Sequence, residues 1–398
     1  MKDKKNLGLS TRLSHSGRPP IEDVQAFVNP PLMRGSTVLY PSVKLRDDVR
    51  ARPFDQALIY GAQGNPTHHQ LEDVIADVEG GTRCQLVSTG LAAVTMGLLA
   101  YLKGGDHCLV PDSVYGPARR FCDTFAKGVG IETTYYSPEI DEAGISKMLR
   151  PNTAVIYAES PGSQTMEVQD IPMLARVAHK AGAKLLMDNT WGVHFFQPFV
   201  HGVDCSIQAA TKYIAGHSDV LLGSITVNND TEWERVRQTC VTLGQYASPD
   251  DCWLALRGVR TLRLRLEKHM RSAIEVAEWF RARPEVNEVL YPALPGARGH
   301  DLWKRDFSGA CGLFSVVFDR RFVPADVHRM VESLALFGLG ASWGGYESLA
   351  LPSSGSITRT FEQRFEGPVC RFNIGLEDTS DLLADLQDGM KVLSGRTQ

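Results

Sequence analysis

Lys212 stands in the run Ser206-Ile207-Gln208-Ala209-Ala210-Thr211-Lys212-Tyr213, downstream of an apolar run that ends in an acid, Leu185-Leu186-Met187-Asp188-Asn189-Thr190. Two such groups serve one chemistry. A lysine amine can form a Schiff base with pyridoxal 5'-phosphate (PLP), and an aspartate ending a buried strand can hold the pyridine nitrogen protonated. Either residue alone carries little information. The pair, in this order and with small residues packed before the lysine, points to that cofactor and to Lys212 as a proton-transfer group.

Other segments supply what such a site needs. Ser88-Thr89-Gly90-Leu91 joins a strand to a helix, so the glycine admits close approach and the helix start offers N–H groups to a phosphate. Thr211 could add its hydroxyl. Tyr115, in Asp112-Ser113-Val114-Tyr115-Gly116-Pro117, follows a strand end, where an aromatic can stack on a planar ring or simply sit at a turn. Tyr60 lies in the loop Tyr60-Gly61-Ala62-Gln63-Gly64-Asn65-Pro66-Thr67, and its hydroxyl can donate to an anion. Ser342 and Trp343, in Ala341-Ser342-Trp343-Gly344-Gly345-Tyr346-Glu347, read as a pocket wall. Arg371 is a charge inside the strand-like Cys370-Arg371-Phe372-Asn373-Ile374, suited either to an internal salt bridge or to a substrate carboxylate held by its planar fork. His68-His69 gives no metal site, because neighbours on a helix face apart and no further ligand follows at metal-site spacing.

These residues must be carried by a regular frame. Strand-like segments at Cys84–Val87, His107–Val110, Ala154–Ala158 and Lys184–Met187 alternate with helical ones at Leu71–Val78, Leu91–Leu102, Ala118–Ala126 and Ile171–Ala181. That alternation predicts an α/β fold, a mostly parallel sheet with helices on both faces. Residues 1–64, rich in Pro, Ser and Arg, read as an extended arm for a partner subunit. Residues 65–255 form the cofactor domain. Residues 256–398 form a smaller C-terminal α/β domain, opening on a long helix through Leu262, Leu266, Ile274 and Ala277 that ends near Pro284, and closing on a polar helix from about Thr379.

A net charge of −4 argues against nucleic acid or an anionic membrane as partner. Clustered arginines at 257, 260, 263, 265 and 271 have Glu267 and Glu275 among them, so they read as a solvated or interface face. None of the eight cysteines forms a Cys-x-x-Cys pair, which fits reduced thiols in a cytoplasmic protein. No signal peptide and no membrane-spanning run is read in the chain.

From the Tyr60 loop to the C-terminal helix, the chain resembles the cystathionine β-lyase branch of the PLP-dependent Cys/Met metabolism enzymes. The motifs are Glu159-Ser160-Pro161-Gly162-Ser163 with Thr165-Met166-Glu167, Asp188-Asn189-Thr190-Trp191, Ala210-Thr211-Lys212-Tyr213, Gly216-His217-Ser218-Asp219, Ser342-Trp343-Gly344-Gly345-Tyr346-Glu347-Ser348 and Ile374-Gly375-Leu376-Glu377-Asp378. Other branches usually carry leucine where Trp343 stands. The resemblance implies a PLP enzyme of fold type I, aspartate aminotransferase-like, assembled as a homotetramer of two catalytic dimers. It implies Lys212 as the Schiff-base lysine and Asp188 as partner of the ring nitrogen. It further implies that Tyr115 stacks on the ring and that Gly90, Leu91 and Thr211 hold the phosphate. It also implies that Tyr60 reaches the neighbouring subunit's site and that Arg371, Ser342 and Trp343 hold a small sulfur amino acid. The implied reaction is α,β-elimination of L-cystathionine, with γ-lyase and broader β-lyase activities as the nearest alternatives and a non-catalytic PLP-binding protein as a remoter one. Two positions depart from the pattern: Ala62 stands where many relatives have a phosphate-binding arginine, and Ala209 where many have serine.

Overall fold

The computed structural model describes residues 7–18, 25, 27–361 and 365–395. Seven short strands form the central sheet: β1 (Arg83–Val87), β2 (His107–Pro111), β3 (Glu132–Tyr136), β4 (Thr153–Glu159), β5 (Lys184–Asp188), β6 (Cys205–Gln208) and β7 (Gly223–Val227). Their spatial order is β1-β7-β6-β5-β4-β2-β3. The run from β6 to β3 is parallel, whereas β7 is antiparallel to both its neighbours. Strands in the middle of such a sheet are covered on both faces, which is why β2, β4 and β5 read as continuous apolar runs.

Two hydrophobic cores lie on the two faces of this sheet. One includes α3 (Pro66–Glu79) and α7 (Ile171–Lys180), and the other α4 (Gly90–Tyr101), α5 (Gly116–Phe121) and α8 (Asp230–Thr242). Two short helices, α1 (Leu9–Ser14) and α2 (Val43–Arg50), punctuate the N-terminal region, and α6 (Glu142–Met148) precedes β4. Beyond β7 come α9 (Pro249–Val259), α10 (Leu262–Arg281), β8 (Val286–Leu290), α11 (His300–Asp306), β9 (Leu313–Phe318), α12 (Pro324–Ser333), β10 (Gly338–Leu339), β11 (Leu349–Pro352), β12 (Val369–Asn373) and α13 (Thr379–Leu393). The later strands make a second sheet, β10-β11-β12-β9-β8, antiparallel except for β10-β11.

Local chemistry explains several boundaries. Asn65 starts α3 by accepting the Thr67 amide at 2.9 Å, while its own amide donates to His68 Nδ1 at 3.2 Å. Gly80 ends that helix at φ +71°, a left-handed position that costs glycine nothing. The long helix expected through Leu262, Leu266, Ile274 and Ala277 is α10, which ends at Arg281 ahead of Pro284; its start at Leu262 is set by a break that separates it from α9. The backbone of Thr261 leaves the helical path, and its hydroxyl donates to Gly258 O at 3.2 Å, closing the last turn of α9. The segment expected to be helical through Ala126 changes at Cys122 into a single π-type turn. The arm is less extended than expected, since α1 and α2 interrupt it. Strands β3, β6 and β7 escaped the sequence reading because each carries two or more polar residues.

Candidate active site

The parallel strands bring their C-terminal ends together, and the chemistry-bearing residues cluster there, as ligands do in open α/β sheets. Asp188 ends β5. In the parallel register it lies beside Glu159, the last residue of β4, and Ile207 of β6. The Asp188 carboxylate accepts two hydrogen bonds from Thr190, from the amide at 2.9 Å and the hydroxyl at 2.6 Å. Thr190 Oγ1 in turn accepts the Ala209 amide at 2.9 Å, tying the end of β5 to the segment that leads to the lysine. Burial raises the Asp188 pKa, Thr190 opposes it, and nearby Glu79 raises it further.

Lys212 sits in a compact turn closed by Lys212 N donating to Ala209 O and Gly216 N donating to Lys212 O. Its Nζ donates to Ser342 Oγ at 2.7 Å and lies 5.5 Å from the centre of the Trp343 ring. Behind it is Gly344, at φ +83°. A Cβ there would stand 3.1 Å from the Lys212 backbone and Cβ, so glycine is required on two counts. Burial, together with repulsion from Arg371 and against the attraction of Asp188, lowers the Lys212 pKa to about 8. A lysine in that state presents a large neutral fraction near neutral pH and can act as nucleophile or base.

Arg371, on β12, donates to Ser342 O at 3.0 Å. Among the described residues no carboxylate pairs with it, so the internal salt bridge weighed from the sequence is absent there. Burial pushes its pKa down to about 10. Trp343 packs on Tyr213 at 5.6 Å between ring centres.

Tyr115 precedes α5. Its amide donates to Glu159 Oε2 at 2.7 Å, and its ring is partly exposed. Burial, then Asp188 and Glu159, raises the phenol pKa, against Arg371 and Arg120. Glu159 was visible in the sequence as part of a motif but was given no role. It is buried, and its own pKa is pushed well above the usual carboxylate range by desolvation and by Asp188. The signal that could have found it is the same apolar-run-then-acid pattern that marks Asp188.

At α4, Thr89 Oγ1 accepts the Ala92 amide at 3.0 Å, which leaves the first-turn amides of Gly90 and Leu91 without intrahelical acceptors. A Cβ on Gly90 would lie 2.5 Å from that of Ala209, so the bare backbone there is enforced by contact. Thr211 is more committed than expected: its hydroxyl accepts Leu222 N at 2.9 Å and donates to Leu222 O at 3.1 Å. To serve a phosphate, its proton must leave that carbonyl.

Tyr60 stands apart. Its side chain is about half exposed, and among the described residues no hydrogen bond or ring contact joins it to the cluster. Its loop is anchored instead by Gly61 N donating to Ser36 O at 2.8 Å and by Arg237, which donates to Gln63 O and to Gln85 Oε1. Sequence reasoning also missed a clamp beside the site. The buried Asp112 carboxylate pairs with Arg119 and accepts the amides of Thr360 at 2.8 Å and Phe361 at 3.1 Å, bolting a later segment onto the Tyr115 loop.

The arrangement suits PLP. It offers a half-buried amine of lowered pKa, an acid at a strand end, bare amides at a helix start and, among the described residues, a half-buried guanidinium without a carboxylate partner. No lysine or arginine is hydrogen-bonded to the Ser88–Leu91 turn among the described residues, so that turn is the least charged part of the cluster.

Comparison with known proteins places this frame. The family described as Cys/Met metabolism PLP-dependent enzyme matches residues 10–391. The chain is 40% identical over 397 residues to the cystathionine beta-lyase of Bordetella avium, covering 98% of this chain and 99% of that protein. It is 39% identical over 396 residues to the cystathionine beta-lyase MetC of Escherichia coli (strain K12), covering 98% and 99%. Among solved structures, metB from Corynebacterium glutamicum aligns with a TM-score of 0.89 at 30% identity, over 98% of this chain and all of that one.

Proposed function

The chain belongs to the Cys/Met metabolism PLP-dependent enzymes, and on that premise we propose that it is a carbon–sulfur lyase cleaving the Cβ–S bond of L-cystathionine. Its fold is type I of the PLP enzymes. The products are homocysteine, pyruvate and ammonia, with one water consumed. The observation that carries this reading is the Lys212 amine, half-buried, lowered to a pKa of about 8 by desolvation and Arg371 against Asp188, and held 2.7 Å from Ser342.

When bound, PLP would draw electron density from the substrate carbon that loses its proton. The chain's residues do the rest. Lys212 would carry the cofactor, then, freed by the substrate amine, take the α-proton and return a proton to the departing sulfur, with Tyr115 as a second donor. Asp188 would face the ring nitrogen and favour its protonated form. The amides of Gly90 and Leu91, with the Thr211 hydroxyl, would receive the phosphate, and the Tyr115 ring would cover the cofactor. Arg371 would take the substrate α-carboxylate in a bidentate pair, while Ser342 and Trp343 shape that pocket. Exposed apolar side chains in the N-terminal region, among them Phe27 (90% exposed), Leu39 (89%), Val43 and Leu58, support reading it as the face toward other subunits of a homotetramer. Tyr60 on that region would then reach a neighbour's site. No described helix is long and apolar enough to cross a membrane.

The test is a product assay. L-cystathionine with the purified, yellow protein should yield pyruvate, and Lys212→Ala should lose both the visible band and turnover. Formation of 2-oxobutyrate instead would assign cleavage to Cγ. A Lys212→Ala variant that kept its band would refute the role given to this lysine.

A further inference from the structure

The last residue of α3, Glu79, has no exposed surface. Its Oε1 accepts three hydrogen bonds, from Ser206 Oγ at 2.7 Å, Gln208 Nε2 at 2.8 Å and Asn189 Nδ2 at 3.2 Å, while its Oε2 has no partner. No cationic side chain pairs with it among the described residues. Such a placement is unfavourable twice. A buried charge without a counter-ion is costly, and an acid at a helix C-terminus meets the negative end of the helix dipole. A group kept there against both effects marks a place where function overrides stability.

Its position says what that function is. Ser206 and Gln208 share one face of β6, while Ile207, in register with Asp188, lies on the other. Asn189, the third donor, follows Asp188 directly. Glu79 therefore grips the ends of both strands from behind, on the opposite side of the sheet from Asp188. We infer that Glu79 is a positioning residue: a second buried anion behind Asp188 that fixes the β5 and β6 ends and keeps the cation-holding end of the site at negative potential. This rests on the reading that Asp188 faces the cofactor's ring nitrogen. In support, Glu79 acts with burial to raise the Asp188 pKa. The other titratable groups acting on Asp188, or acted on by it, are Lys212, Tyr115, Tyr157 and Glu159, and those acted on by Glu79 include Cys84 and Cys205.

The experiment compares Glu79→Gln with Ser206→Ala in the PLP-loaded protein. The first keeps the shape and removes the charge; the second removes one hydrogen bond and keeps the charge. Two quantities are read: the pH at which the cofactor's visible band changes, and the PLP dissociation constant from reconstitution of the apo-protein. With Glu79→Gln every cation in the site loses its proton more easily, so the transition moves to lower pH by about one unit and PLP binds about tenfold more weakly. Ser206→Ala lowers Tm but leaves both quantities within about twofold of the parent. A Glu79→Gln band that titrates with the parent's overturns the inference alone. A parent that develops no visible band with PLP overturns the reading of the site and the inference together. Should Glu79→Gln not fold, replacing Glu79, Ser206 and Gln208 together by Leu, Ala and Leu removes the charge with two of its three donors, while Asn189 keeps Val193 O and Phe196 O as acceptors; buried polar clusters tolerate such a swap, and the same titration decides.

Discussion

The lowered pKa of Lys212 can be measured without substrate or cofactor. An ordinary lysine titrates at 10.5, and burial with Arg371 brings this one to about 8. At pH 7 that raises the neutral fraction from about one amine in 3,000 to about one in ten, a gain near 300-fold worth roughly 3.4 kcal/mol. Two charges act on it in opposite senses, Arg371 lowering the pKa and Asp188 raising it. Arg371→Met should therefore move the titration up and Asp188→Asn should move it down, each by about one unit, the size of one nearby charge. At pH 7 the first change would reduce the reactive amine about tenfold. The assay is trace acetylation of the apo-protein across pH, with the Lys212 peptide followed by mass spectrometry, because only the neutral amine reacts. A parent inflection above pH 10, or both variants shifting the same way, would refute the argument that burial and these two charges set the basicity of Lys212.

Three further outcomes follow from particular residues. Gly344→Ala must place a side chain at φ +83° and 3.1 Å from Lys212, which costs about 1–2 kcal/mol for the backbone alone; Tm should fall and turnover should drop more than the stability loss explains. His269 is fully buried and its pKa is lowered to about 4, with its Nδ1 on Ile374 O at 2.6 Å. A folded-state pKa below the unfolded value of 6.5 means that acid favours unfolding, so stability should fall as pH drops from about 6.5 toward 4, by about 3 kcal/mol from this residue. Denaturant midpoints of His269→Gln should show a shallower fall across that window, and an unchanged slope would count against it. Ala62→Arg restores a cation to the Tyr60 loop; in the assembled protein PLP affinity should rise roughly 10- to 100-fold, as expected of a charge-assisted phosphate contact, and equilibrium dialysis would show it.

Much of the frame was legible in the chain because burial on both faces leaves a mark that needs no coordinates. Four strands of the central sheet, the glycine stop of α3 and the start of α4 at Gly90 all show as apolar runs bounded by turn residues. Strand β6 shows why others did not. Its Ser206 and Gln208 are polar, which reads as a poor strand, yet both point at Glu79, a partner more than a hundred residues away in the sequence. At the break between α9 and α10, the amide and the hydroxyl of Thr261 both donate to Gly258 O, a local arrangement that periodicity does not register.

The sequence by itself determined the kinds of chemistry available, a lysine and an aspartate in the order and setting one cofactor uses, and the α/β class, because residue type and hydrophobic spacing are local. Tertiary structure alone decided their energetics. The pKa of Lys212 depends first on desolvation and then on Arg371 of β12 and Asp188 of β5, which act on it in opposite senses. The Thr211 hydroxyl is engaged with Leu222. Glu79, an ordinary acid ending a helix in the sequence, becomes a buried carboxyl group gripping the ends of β5 and β6. Charge interactions depend on distance and on the exclusion of water, and both are set only when segments far apart in the chain have packed.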